Sequence, residues 1–133
     1  MLTFISEQEI FTLGLIQIVH IKPKTSDRKG KEMITYFAID RSVGSKYVAL
    51  KYDIIPPQAK TDSHAEAHPT DAIIYMISGE LTFYVTAPEK KSHKIRAGDF
   101  VFVPAGETHY AQNYSKTNSA EAIVCIPAPS FTN

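Results

Sequence analysis

Short segments rich in β-branched and aromatic residues recur along the chain, and glycine, proline, serine or asparagine separates them. The first kind of residue favours strands and the second favours turns. Apart from residues 2–10, where Ser6 and Glu9 form a capping box and predict one helical turn, no apolar repeat of 3.6 residues occurs. The pattern therefore predicts an all-β sandwich or barrel. Strands are expected at 11–21, 33–40, 46–55, 62–68, 72–78, 80–86, 93–96, 100–103, 107–114 and 120–126.

Composition excludes several classes of protein. The chain has 133 residues, of which 14 are basic and 14 acidic. This length predicts a single domain, and the balanced charge gives no general attraction to nucleic acid or to an anionic membrane. The longest apolar run, residues 13–19, is too short to cross a bilayer. Cys125 is the single cysteine, which excludes an internal disulfide and a thiolate metal cluster and favours a cytoplasmic location.

Residues 63–71, with the sequence SHAEAHPTD, carry two of the five histidines. Residues two apart on a strand share a face, so His64, Glu66 and His68 are predicted to point the same way. Imidazole nitrogens and carboxylate oxygens are ligands for borderline divalent metals. At about 3.3 Å per residue, His64 and His68 lie roughly 13 Å apart, so only adjacent members of the row can share one ion. A further ligand must come from another strand.

His109 is the candidate for that further ligand. Residues 98–113 read GDFVFVPAGETHYAQN, which predicts a turn, an apolar strand, a second turn and a returning strand. The second turn aims the imidazole into a barrel mouth, and Asn113 shares its face. This stretch resembles the second motif of the cupin superfamily, G-x-x-x-x-x-P-x-G-x-x-H-x-x-x-N. It matches at every fixed position: Gly98, Pro104, Gly106, His109 and Asn113.

The first motif of the same superfamily is only half kept. Its usual form is G-x-x-x-x-x-H-x-H, three or four residues, E, six residues, G. Gly79 matches the closing glycine, and counting back from it puts Ala72 in the place of the ligand glutamate. His68 then falls on the second histidine, Glu66 on the first and Lys60 on the opening glycine.

The resemblance covers about residues 46–127 and implies a double-stranded β-helix, a jelly-roll barrel with a central pocket. The chain is then one cupin domain, 1–133, in which residues 1–40 add N-terminal strands that extend a sheet or exchange across a dimer. Members commonly hold one iron, manganese, nickel, copper or zinc ion. They act as dioxygenases, decarboxylases, isomerases, lyases or cyclases, or they only bind small molecules. Many are dimers, so a homodimer is expected.

Carried onto this sequence, the resemblance makes His68 and His109 metal ligands, with Glu66 where a histidine usually ligates. His64 is an alternative to Glu66. Asp71 replaces the lost glutamate only if a bulge turns it inward, because it is one residue from Ala72 and on the opposite face of a regular strand. The expected cofactor is a divalent metal ion: Fe, Mn, Ni, Zn or Cu. His68, His109 and Glu66 are also the expected catalytic groups.

Three functions follow from this reading. The first is a metal-dependent enzyme acting on a small organic molecule, with dioxygenase, isomerase, lyase or cyclase chemistry. The second is a metal-free enzyme similar to sugar epimerases and ketoisomerases, in which His68 or His109 takes a proton next to a carbonyl. The third is a non-catalytic protein that binds a small molecule. None of the three involves a nucleic acid or a membrane.

Residues 46–55 alternate in part, with Val48, Leu50, Tyr52 and Ile54 on the more apolar face. Lys51 and Asp53 share the other face. Two placements stay open for this pair, the pocket or the protein surface.

Overall fold

The structure is a computed structural model that describes residues 2–3, 8–22, 32–61 and 69–127. Within these ranges the chain forms eleven strands and a short 3-10 helix, Arg41–Val43. No helix there has the length and apolar character that crossing a membrane requires. The strands are β1 (Leu2–Thr3), β2 (Gln8–Leu13), β3 (Ile16–Ile21), β4 (Ile34–Ile39), β5 (Val48–Ile55), β6 (Ala72–Ser78), β7 (Glu80–Val85), β8 (Lys91–Arg96), β9 (Phe100–Val103), β10 (His109–Gln112) and β11 (Ala120–Pro127).

These strands form two larger sheets and a separate hairpin. The first sheet has six strands in the order β1-β4-β5-β11-β6-β9, and the second has three in the order β10-β7-β8. The short β1 runs parallel to β4, whereas the other pairs are antiparallel. Strands β2 and β3 pair with each other as the hairpin. The prediction of an all-β chain is confirmed.

The core lies between the two larger sheets. Ile55, Met76 and Ala122 from the six-stranded sheet pack in one cluster with Leu81 and Ile95 from the three-stranded sheet. All five are buried. Because side chains alternate along a strand, these residues identify the inner face of each sheet. Residues two or four positions away on the same regular strand therefore also face inward.

A second apolar cluster continues the contact between the sheets. Ala72, Val103 and Val124 line the six-stranded sheet, and Phe83 of β7 packs against them. Ala72 and Val103 are opposite each other in the β6–β9 ladder. The space between the sheets beside this cluster is called the lumen below, and Phe83 and Val124 are two of its wall residues.

The outer face of the six-stranded sheet is also apolar, and the N-terminal hairpin covers only part of it. Ile34, Tyr36 and Ile54 are buried there, with Ile21 of β3 packed against them. Leu15, in the turn of the hairpin, is 99% exposed. The root of the hairpin is therefore part of the folded domain, whereas its tip projects.

The sequence prediction was wrong in two places near the N-terminus. Residues 11–21 are the end of β2, a turn at Gly14 and β3, not one strand, and the positive φ of Gly14, +62°, allows the turn. The helical turn predicted for residues 2–10 is contradicted where the chain is described, since Leu2–Thr3 and Gln8–Leu13 are strands. The strand predicted at 62–68 lies outside the described residues.

Gly79 joins β6 to β7 in a turn that no other residue could occupy without distortion. Its φ is +77°, and a Cβ placed on it would lie 2.7 Å from the Cα of Ala120. The positive φ favours glycine because its backbone reaches that region without steric cost. The close approach of the Ala120 backbone excludes any side chain at this position while β11 stays in place. The closing glycine of the first motif is therefore explained by packing.

Candidate functional site

His109 begins β10, directly after the turn that contains Pro104 and Gly106. Gly106 has a φ of +84°, which lets the chain reverse before the strand starts. The His109 side chain is half-buried, and its Nδ1 lies 2.8 Å from the carbonyl oxygen of Glu107. A carbonyl oxygen can only accept, so Nδ1 carries the proton and donates it. In the neutral ring Nε2 is then the nitrogen with the lone pair.

The face of β10 that carries His109 is the inner one. Ala111 and Asn113 follow on the same face and both are buried. The imidazole also stacks on Phe83, with ring centroids 5.6 Å apart and an interplanar angle of 12°. Phe83 belongs to the wall of the lumen, so His109 lies at the lumen as the sequence predicts.

Asn113 has a structural role at this point of the fold. Its Nδ2 donates to the carbonyl oxygens of Ile55, Pro56 and Asn118, at 3.0, 3.2 and 2.8 Å. Its Oδ1 accepts from the Ser115 N–H at 2.9 Å. The side chain is 1% exposed. It ties the end of β10 to the end of β5, so this residue of the motif fixes the strand that carries His109.

Ala72 and Asp71 lie where the resemblance expects the ligand glutamate, and neither side chain brings a carboxylate to the lumen. Ala72 is buried on the inner face, opposite Val103, so its methyl group lies where the resemblance puts a ligand carboxylate. Asp71 is exposed, and its Oδ1 accepts the backbone N–H of Ala105 at 2.9 Å. That bond directs Asp71 to the turn before His109, and no bulge turns its carboxylate to the lumen.

His64, Glu66 and His68 lie outside the described residues, so their predicted roles stay predictions. In the part of the chain that is described, no three His, Cys, Asp or Glu side chains come together as a metal site. One described residue on each side of the segment, Thr61 before it and Asp71 after it, is bonded to the neighbourhood of His109. The N–H of Thr61 donates to the carbonyl of Ala111 at 2.9 Å, and Asp71 accepts from Ala105 as described above.

Lys51 and Asp53 are on the inner face of β5, because they alternate with the buried core residue Ile55. Asp53 is buried, and the hydroxyl of Thr35 donates to its Oδ1 at 2.8 Å. Burial raises the pKa of the Asp53 carboxyl, against the lowering effects of Lys51 and of the Thr35 hydrogen bond. The sequence left open whether this pair faces the pocket or the protein surface, and its alternation with Ile55 puts both side chains on the inner face.

Comparison with known proteins gives a family and a fold. A family model of the cupin domain matches residues 52–126. No match was found among curated proteins.

Among solved structures, a polyketide cyclase from Streptomyces resistomycificus is similar with a TM-score of 0.67 and 19% identity, over 80% of this chain and 73% of that one. An RmlC-like cupin family protein with a double-stranded β-helix fold from Methanocaldococcus jannaschii has a TM-score of 0.62 and 17% identity, over 81% and 89%. A predicted oxalate decarboxylase from Thermotoga maritima has a TM-score of 0.60 and 21% identity, over 72% and 80%. At these identities the likeness shows the fold, and the predicted double-stranded β-helix is confirmed.

Proposed function

The chain belongs to the cupin family, and we propose that its lumen binds a small organic molecule beside a divalent metal ion held by His68, His109 and Glu66. His64 is the alternative to Glu66. The observation that carries the proposal is the state of the His109 ring. Its Nδ1–H donates to the Glu107 carbonyl, and the ring lies against Phe83 at the lumen wall. A histidine whose orientation and tautomer are set by a backbone carbonyl is suited to ligate a metal through its other nitrogen.

The donor set fits a borderline divalent ion. Two imidazoles and one carboxylate are the ligand class of mononuclear non-haem iron sites, and they also suit manganese, nickel, zinc and copper. The hydrogen bonds of Thr61 and Asp71 support a ligand segment close to His109, since they anchor both of its flanks to the strand and turn that carry this histidine.

The chemistry would divide between the ion and the protein. When bound, the metal supplies a Lewis acid with exchangeable positions, suited to a substrate that chelates through two oxygens. The protein supplies an apolar wall, Phe83 and Val124, which excludes water from one side of the ligand. Dioxygenase, isomerase, lyase and cyclase reactions on such a substrate are all compatible with this division.

The proposal is tested by the metal content of untagged protein, measured by elemental mass spectrometry beside two variants. We expect close to one ion per chain, and its loss in His109→Ala. His20→Ala is the matched control, because His20 is an exposed histidine on β3 and its removal leaves the content unchanged. A wild type that holds no metal after loading with iron, manganese, nickel, zinc and copper in turn would end the metal proposal.

One observation favours a metal-free alternative. Ala72 provides no donor on the inner wall, where the resemblance puts a ligand glutamate. In that case His109 is a base next to a substrate carbonyl, as in an epimerase or ketoisomerase, or the protein binds a small molecule without reaction. Exchange of substrate protons with deuterated water, followed by NMR on candidate keto sugars, separates these two: exchange indicates the enzyme, and binding without exchange indicates the binding protein.

We propose a homodimer as the assembled form, because the chain exposes two apolar surfaces. One is the hairpin face, formed by Phe11, Leu13, Ile16 and Ile18, which pair across β2 and β3. The other is the outer face of β6 and β9, formed by Ile73, Tyr75, Ile77, Phe100 and Phe102. At roughly 100 Å² for each of these nine side chains, the two together expose about 900 Å², comparable to the ~800 Å² that a stable interface buries on each partner. A second copy with exchanged hairpins covers both surfaces at once.

Light scattering on wild type and on Phe100→Asp tests the dimer. Phe100 is 76% exposed, so the substitution spares the fold of the single chain but places a charge in the interface. We expect a twofold lower mass for this variant, whereas Ser92→Asp, on the exposed edge strand of the other sheet, keeps the dimer. A monomeric wild type would refute the assembly.

A cytoplasmic location belongs to the same proposal. Cys125 is a free thiol, half-buried on β11, and it is the single cysteine of the chain. A reducing compartment keeps such a thiol from forming disulfides between chains.

A further inference from the structure

A polar group interrupts the apolar inner face of the six-stranded sheet. Lys51 lies opposite Val124 on one side and Phe37 on the other. Asp53 lies opposite Ala122 and Thr35. Strand pairing does not require these residues, because valine or isoleucine would fill the same positions on a wall of this kind.

The Lys51 ammonium is incompletely paired. Its Nζ lies 3.9 Å from Oδ2 of Asp53, which is an ionic contact but too long for a hydrogen bond. Within the described residues this is its one ionic contact, and Asp53 is bonded instead to the Thr35 hydroxyl at 2.8 Å. An ammonium has three donor hydrogens. The side chain is 19% exposed and lies on the inner face of β5, so these donors are not fully enclosed by protein.

Keeping this ammonium on an apolar wall is costly. A charge removed from water is stabilised only by close partners, and a contact at 3.9 Å compensates part of that cost. Small-molecule pockets are mostly apolar with a few charged or polar groups that orient the ligand, which makes Lys51 a candidate functional residue.

Lys51 faces the same lumen as His109. Val124, its partner across the ladder, belongs to the cluster against which Phe83 packs. Phe83 also stacks on the His109 ring, at 5.6 Å between centroids. The lysine and the histidine therefore lie on opposite sheets, and the cluster that contains Val124 and the Phe83 ring connects them.

We propose that Lys51 binds a carboxylate of the substrate, so that the molecule spans the lumen with its anionic end at β5 and its reacting end at His109. This names a substrate class, small organic acids, for the proposed function. It rests on that function only in requiring that the lumen bind a small molecule, and it does not require the metal.

The test uses malonate as the probe and its uncharged diamide, malonamide, as the comparison, with chelator present to remove metal. Binding is measured by calorimetry, and the Nζ signal of Lys51 is followed by NMR on lysine-labelled protein. We expect malonate to shift the Lys51 signal and malonamide to leave it unchanged. In Lys51→Met, malonate affinity should fall roughly ten- to a hundred-fold, the loss of one charge-assisted hydrogen bond.

Two controls separate binding from folding. Lys46→Met removes an exposed lysine just before the same strand and should leave malonate affinity unchanged. Lys51→Arg keeps the charge and should retain most of the affinity. The Nζ signal is read in the wild type, so the proposal stays open to refutation even if Lys51→Met fails to fold.

A Lys51 signal unmoved by malonate up to its solubility, or equal affinity in wild type and a folded Lys51→Met, would overturn the inference. The metal content of His109→Ala distinguishes failure of this inference from failure of the proposed function. Loss of metal in His109→Ala without any effect of Lys51 leaves the metal site standing, whereas Lys51-dependent binding in a protein that holds no metal leaves the acid-binding site standing.

Discussion

Replacing Asn113 with aspartate should destabilise the fold strongly, and the loss should grow with pH. The side chain is buried, and its two amide protons serve the carbonyl oxygens of Ile55, Pro56 and Asn118. Aspartate has nearly the same shape and keeps the acceptor for the Ser115 N–H. It loses both protons and, when ionised, points a negative charge at the three carbonyl oxygens.

The size of the effect follows from those bonds. The Pro56 carbonyl also accepts from the Ala59 N–H and keeps that partner. At about 1–3 kcal/mol for each buried acceptor left unpaired, the two lost protons give roughly 2–6 kcal/mol at neutral pH. That is a large share of the roughly 5–15 kcal/mol that stabilises an ordinary domain. Burial and the facing carbonyls should raise the pKa of the introduced carboxyl. The penalty is therefore small below the unfolded value of about 3.9 and grows as pH rises through the folded value.

Urea unfolding followed by far-UV circular dichroism measures this loss at several pH values. Asn118→Asp is the matched control, because Asn118 is exposed and contributes its backbone carbonyl to the bond. Its free energy of unfolding should stay within about 0.5 kcal/mol of wild type. A loss below about 1 kcal/mol in Asn113→Asp, or one that does not change with pH, would refute the assignment of these hydrogen bonds as the tie between β10 and β5.

Two further predictions concern packing and burial. Gly79→Ala should lower the free energy of unfolding by about 2–4 kcal/mol, because it strains a positive φ and also places a Cβ 2.7 Å from the Ala120 Cα. Gly44→Ala strains a positive φ with no neighbour within 4 Å, so it should lower that free energy by about 1–2 kcal/mol. Thermal unfolding compares the two variants. Asp53 has a raised pKa, so its stabilising contribution is full below about pH 3.9 and falls as pH rises through the folded value. Asp53→Asn should remove that fall, and equal pH profiles of melting temperature in variant and wild type would contradict it.

The strand pattern could be predicted because alternation and turn residues act locally. The expected strands at 33–40, 46–55, 72–78, 80–86 and 100–103 differ from the observed ones by at most two residues at either end. The N-terminal hairpin was missed because Leu15 continues an apolar run through its turn. Gly14 is the one turn residue in that run, and by itself it did not predict the reversal that leaves Leu15 99% exposed.

The candidate site could be predicted in part. The motif places His109 on the inner face of β10, and the structure confirms this, since Ala111 and Asn113 on the same face are buried. The hydrogen bond that sets its tautomer depends on the backbone path at Glu107, which sequence spacing does not specify. The direction of Asp71 was likewise decided by a long-range partner, the Ala105 N–H.

The two faces of β5 show why alternation alone misleads about the inside of a barrel. Val48, on the more apolar face, is 53% exposed, whereas Asp53 on the opposite face is buried. In an ordinary two-layer sheet the apolar face packs inward, and the reverse placement would be costly. Here the inward Asp53 is held by the Thr35 hydroxyl, and the inward Lys51 is the group for which we propose a ligand. On the outer face Ile54 is buried in the cluster that Ile21 of the hairpin packs against, so only part of that face is exposed. Alternation along one strand therefore does not decide which face is the inner one; the contacts of Ile55 with the core between the sheets decide it for β5.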